Sequence, residues 1–154
     1  RDYKKYDVWK LAHELVKDIF IISESFPKSE LFGITSQIRR SSVSIPTNIA
    51  EGCGRSTDKE FARFLEISIG STNETEYLLF LSCDLGFSSE EHLISLTPKL
   101  NLIRQKLIQL RKKLLLEINS EGKSLLLTAF SLKQNIMAKE IKFEIESRDA
   151  LKRG

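Results

Sequence analysis

The chain is poor in the residues that build most chemical sites. Its 154 residues include two cysteines, two histidines, one tryptophan and one methionine. Cys53 and Cys83 lack the paired spacing of a zinc site and do not make a disulfide framework, which reads as a cytoplasmic setting. His13 and His92 fall on different predicted helices without companion ligands, so no metal is expected. No Gly-rich phosphate loop is present, and no His and Asp arrangement supports a nucleophile. Glu74 and Glu76 point to different faces of a helix and do not form an acid–base pair. The expectation is therefore no enzyme, no cofactor and no evident small-molecule substrate. No apolar run reaches the roughly 18–20 residues of a membrane span, so no membrane partner is expected. Charge is nearly balanced: 24 basic against 21 acidic side chains give +3, too small an excess to imply nucleic acid by itself.

Three prolines and seven glycines leave long stretches free for helix, and 41% hydrophobic residues suffice for a core. Val8, Leu11, Ala12, Leu15, Val16, Ile19 and Phe20 recur at helical spacing, predicting a first helix over about Tyr6 to Ser25 that Phe26-Pro27 ends. Trp9 on it reads as a core or interface anchor. A second helix is expected from near Ser29-Glu30 to Gly52-Cys53-Gly54, with Pro46 inside it as a bend. Cys53 at its end is placed to favour a thiolate. A third helix opens at Ser56-Thr57-Asp58 with Glu60 as a capping-box partner, and runs to Gly86. Gly70-Ser71 in its middle costs roughly 1 kcal/mol of helix propensity, which close packing would offset. The fourth begins at Ser88-Ser89-Glu90-Glu91, with a break or kink expected at Pro98. Leu93, Leu96, Leu100, Ile103, Leu107, Leu110 and Leu114 form a sustained heptad seam, with Lys99, Lys106 and Lys113 on one flank and Arg104 and Arg111 on the other.

Four amphipathic helices with short connections predict an all-α, antiparallel up-down-up-down four-helix bundle over residues 1–117. Between Glu66 and Pro98 there is no lysine or arginine, whereas Glu117 is the only acid from Lys99 to Glu117. Acidic and basic helices that sit side by side would pair. After Glu117 the seam stops. Asn119-Ser120-Glu121-Gly122-Lys123 reads as a linker within residues 118–136, and residues 137–154 form a separate charged C-terminal appendage.

The second helix carries the strongest non-core signal. Gln37, Arg40, Ser44, Asn48 and Glu51 lie on one line at steps of three and four, beside an apolar line of Ile38, Ile45 and Ile49 with Ser41 or Ser42. An ordered ladder of hydrogen-bonding groups next to a core stripe is expected to face another helix or another subunit. Arg40 is expected to pair with Glu51 or Glu74. The competing functional reading makes the ladder a ligand or RNA site; the requirement that buried polar groups find partners favours the structural one. Arg39, Arg55, Lys99, Arg104, Lys106, Arg111, Lys112 and Lys113 are the candidate nucleic-acid-binding residues. The alternative is a solvated face paired with the acidic helix, and the lack of interleaved aromatic residues weakens single-strand recognition.

Phe26-Pro27, Glu30, Gly33, Ser36-Gln37-Ile38-Arg39-Arg40, Ser44-Ile45-Pro46, Asn48-Ile49-Ala50-Glu51-Gly52 and Gly70-Ser71 with Glu74 together resemble the signature of the four-helix-bundle proteins encoded within intervening sequences of 23S ribosomal RNA genes. The resemblance covers about residues 4 to 116. It implies a ring-like homopentamer without known enzymatic activity. A related member, the accessory variability determinant of diversity-generating retroelements, implies RNA or a reverse transcriptase as partner, but this chain is only mildly basic. A structural or selfish-element product with no nucleic-acid role is the alternative. Separately, Met137-Ala138-Lys139-Glu140-Ile141-Lys142-Phe143 and Arg148-Asp149-Ala150-Leu151-Lys152-Arg153-Gly154 resemble the start of a GroEL-type chaperonin subunit, which makes residues 137–154 a fusion or fragment.

Overall fold

A computed structural model describes residues 1–152 of the chain. Four α-helices account for most of it: α1 (Asp7–Ser23), α2 (Ile34–Cys53), α3 (Asp58–Asp84) and α4 (Glu90–Lys152), with short 3-10 turns at Tyr3–Lys5 and Lys28–Glu30. The chain divides into two compact units, Arg1–Leu115 and Leu116–Gly154.

The first unit is the four-helix bundle. Its antiparallel order is written in side-chain pairs. Ser41, Ser44 and Ile45 of α2 meet Thr75, Ser71 and Ser68 of α3, so one helix descends as the other climbs. Arg104 and Arg111 of α4 meet Glu76 and Glu66 of α3 in the same reversed sense. On the other flank of the heptad seam, Lys99 reaches Asp18 of α1. Lys99 on one flank thus faces α1, and the arginine flank faces α3, whose acids pair with it as the charge segregation predicts.

Helical periodicity fills the core. Leu15, Ile19, Ile38, Ile45, Ile49, Phe61, Leu65, Leu79, Leu100, Ile103 and Leu107 are almost wholly removed from solvent. Each contributes about 1.5–3 kcal/mol by burial. At the start of α3, Thr57 Oγ1 accepts from the Glu60 amide at 3.2 Å, the N-cap half of a capping box, and the hydroxyl donates to the Glu60 carboxylate at 2.9 Å. Gly86 takes φ +74 after α3, a conformation that a side chain would strain.

Three local expectations need correction. The second helix starts at Ile34 rather than near Ser29: Lys28–Glu30 is a separate 3-10 turn, and the Glu30 carboxylate turns back to accept from the Ile34 amide at 3.3 Å. Pro98 does not break α4. Asn119–Lys123 is helical rather than a linker; of those five residues only Gly122 carries a large helix penalty, about 1 kcal/mol, which its flanking residues can carry.

The second unit, taken alone, is helical through residue 152. Its apolar side chains Leu125, Leu126, Leu127 and Phe130 are largely exposed. The last two residues of the stretch expected to resemble a chaperonin subunit, Arg153 and Gly154, lie outside the described residues.

Candidate interaction surface on the second and third helices

Serine and threonine set the distance between α2 and α3. On α3, Ser68, Ser71, Thr72 and Thr75 recur at steps of three, one and three and are buried. On α2, Ser41 and Ser42 are buried opposite them. Ser68 Oγ donates to the Ile45 carbonyl at 2.9 Å, Ser71 and Ser44 hydroxyls lie 2.9 Å apart, and Thr75 and Ser41 hydroxyls lie 2.9 Å apart. Small hydroxylated side chains let the helices approach, and the bonds satisfy groups that would otherwise be stranded. Each is worth a net ~0.5–1.5 kcal/mol. At the far end of α2, Gly52 completes the contact: a Cβ there would lie 2.7 Å from Phe64 Cβ and 2.8 Å from Phe61 Cδ2.

Apart from Ser44, the polar ladder borders this contact and does not belong to it. Gln37, Arg40 and Glu51 are exposed; Ser44 and Asn48 are half-buried. Ser44 joins the two systems, because its hydroxyl meets Ser71 while Asn48 Nδ2 donates to the Ser44 carbonyl at 2.7 Å and hydroxyl at 2.9 Å. Within one chain the ladder is not shut away from water, and Arg40 makes no ion pair with Glu51 or Glu74. Glu51 is taken by Arg55, one turn further on and nearer in register. Among the described residues Gln37, Arg40 and Glu74 have no side-chain partner.

Gly70 repeats the pattern on α3. It is exposed, and a Cβ built on it would meet nothing within 4 Å. The close packing expected of it does not occur inside the chain; Ser68, Ser71 and Thr75 provide the close approach instead. By helical phase Gly70 shares the outer face of α3 with Arg63, Ile67, Glu74 and Tyr77, of which Ile67 and Tyr77 are exposed apolar side chains.

The eight candidate nucleic-acid residues do not form one free basic face. Arg55, Lys99, Arg104 and Arg111 pair with Glu51, Asp18, Glu76 and Glu66. Arg104 also donates to Asn73 at 2.8 Å and Asn101 at 2.7 Å. Arg39 donates to Ser23 Oγ at 2.7 Å and lies over the Phe20 ring at 4.8 Å. Lys106 and Lys112 carry no acid partner among the described residues. The solvated, paired reading of the basic residues is the one this geometry favours.

Chemical groups beyond these are quiet. Cys53 is buried, and burial pushes its thiol above the usual range, the reverse of the expected thiolate; the nearby N-terminal ammonium and Arg1 only moderate the shift. Burial likewise raises the Tyr6 phenol, with Cys53 adding to the rise. No group of three or more His, Cys, Asp or Glu that could hold a metal occurs among the described residues. Nor is any described helix long and apolar enough to cross a membrane. Phe32 is the residue that sequence reasoning passed over. It is 92% exposed beside the half-exposed Leu31, and a lone aromatic in a connection gives no periodic signal.

Residues 4–109 match the sequence profile of the family described as 23S rRNA-intervening sequence protein. Among solved structures, a protein of unknown function from the S23 ribosomal protein family of Bacteroides thetaiotaomicron VPI-5482 is similar, at 27% identity and a TM-score of 0.63. The similarity covers 68% of this chain and 98% of that one. No curated protein matches.

Proposed function

Because this chain belongs to the 23S rRNA-intervening sequence protein family, we propose that it is a non-enzymatic, cytoplasmic, homo-oligomeric scaffold that assembles through the ladder face of α2 and the adjoining outer face of α3. One observation carries this reading. Gln37 and Arg40 on α2 and Glu74 on α3 are exposed with no partner among the described residues, and Glu74 stands one turn from Gly70, whose helix penalty nothing in the chain offsets. Against the same surface of a neighbour, or a different one, these groups would find partners and Gly70 would permit close approach. A ring of five copies is the stoichiometry that the resemblance implies. Sedimentation equilibrium tests the reading directly: the expected mass is a multiple of the 17.7 kDa subunit, five-fold for the pentamer. A single-subunit mass at every concentration would overturn it.

A nucleic-acid role has a narrower basis. It would rest on Lys106 and Lys112, together with residues that must first release their carboxylates. RNA or a reverse transcriptase remains the partner class on that reading, and affinity should fall steeply with salt because phosphate contacts release counterions. A titration with single-stranded RNA at low salt that shows no binding leaves a structural or selfish-element product.

A further inference from the structure

Phe32 is the most exposed large apolar side chain among the described residues, at 92%, and Leu31 beside it is 52% exposed. It stands in the connection just ahead of α2, and the Gly33 carbonyl that follows it accepts from the amide of Gln37, the first rung of the ladder. At the other end of the same two helices lies an open, mainly apolar groove of about 330 Å³ between α1 and α2. Tyr3, Trp9, His13 and Val16 form one wall, and Val43, Pro46 and Thr47 stand on the other. The aromatic wall is ordered: Trp9 stacks on His13 at 5.3 Å and an interplanar angle of 10°, and Tyr3 meets the Trp9 edge at 4.9 Å.

We infer that Phe32 of one copy seats in the Trp9 groove of the next copy, so that the chain associates head to tail. The inference rests on the self-association proposed above and specifies how it occurs. Phe32 cannot fill its own groove, because about thirteen helical residues, roughly 20 Å, separate Gly33 from Pro46 along α2. Projection and recess lie at opposite ends of the α1–α2 pair, so the contact joins two different surfaces and is heterologous; such a contact closes a ring where the rotation allows. A phenyl ring takes an edge or face of Trp9 with about 150–250 Å² of its own surface to bury, and aromatic anchors in small apolar recesses dominate interface energetics. Phe32 is then the apolar anchor of a surface whose polar part is the ladder that begins at Gln37. The recess carries little charge, which suits a ring better than a phosphate or a carboxylate.

Trp9 is the sole tryptophan and reports on the groove. In the full chain, its emission should shift to the blue and become harder to quench with acrylamide as concentration is raised through the association range. Phe32→Ala should weaken self-association at least tenfold and remove the shift. Thr47→Arg, which fills the recess from an exposed position, should do the same. A mixture of the two should form one-to-one pairs and nothing larger, because the phenyl ring of the second fits the open recess of the first, while each pair ends in an alanine and a filled recess. Full assembly of Phe32→Ala with an unchanged Trp9 response would overturn the seating and leave self-association standing. A wild-type chain of one-subunit mass throughout would overturn both.

Discussion

Gly52→Ala measures how tightly α2 and α3 are pressed together. The added methyl would fall 2.7 Å from Phe64 Cβ and 2.8 Å from Phe61 Cδ2, well inside ordinary contact. Neither neighbour can yield cheaply. Phe61 is fully buried, and the Phe64 atom is a Cβ tied to the α3 backbone. The helices must separate by several tenths of an ångström, which loosens the hydroxyl contacts further along the same seam. Overpacking of this kind costs ~1–3 kcal/mol. Replacing glycine by alanine returns up to about 1 kcal/mol of helix propensity, less in this last turn of α2. The net expectation is a loss of about 1–2 kcal/mol, or on the order of 4 °C in Tm per kcal/mol for a domain of this size. Urea unfolding followed by far-UV circular dichroism reads it. Stability equal to or above that of the parent would refute the packing described for α2 and α3.

Gly70→Ala should behave oppositely in the isolated subunit. With open space around its Cβ, it should stabilise by about 0.8–1 kcal/mol in denaturation at low concentration, and weaken assembly at high concentration. Arg104→Ala removes the pairs with Glu76 and Asn73, both partly exposed, so the loss should be at most about 1 kcal/mol and should shrink as salt rises, measured by Tm at two ionic strengths. Burial raises the Cys53 thiol above the ordinary thiol value of 9.0. Its protonated form is the one that folding favours, so its contribution is complete below pH 9 and is lost as pH climbs through the raised value. Unfolding midpoints should therefore fall above pH 9, and less so in Cys53→Ala; labelling of native protein with a thiol reagent should find Cys53 protected.

Much of the bundle was legible because it rests on periodicity. The heptad from Leu93 to Leu114 names α4 residues that turn out buried or partly buried, and the basic stretch after Pro98 pairs through Arg104 and Arg111 with the acidic α3, as its charge suggests. The Thr57–Glu60 capping box is a local device and was equally readable. Contacts that depend on the angular position of two helices at once were not. The ladder residues share a line, but a line has no partner until a second helix is placed beside it. Arg40 found none within the chain because Glu51 lies roughly 16 Å further along the same helix, where Arg55 holds it. Gly70 signalled close packing, yet the approach is carried over two helical turns by Ser68, Ser71 and Thr75, and the glycine is left outside. The Cys53 thiol was misread for the same reason: helix-end position is visible in sequence, whereas its burial, with Tyr6 and the N-terminus close by, is a property of the assembled bundle.

The most direct test is the solution mass of the wild-type chain beside Arg40→Ala. Arg40 is exposed and unpaired within the subunit, so its loss should leave circular dichroism and low-concentration stability unchanged. The account predicts a wild-type assembly of several subunits and an Arg40→Ala variant displaced toward the single-subunit mass. A monomeric wild type, or an Arg40→Ala variant that assembles as the wild type does, would contradict it.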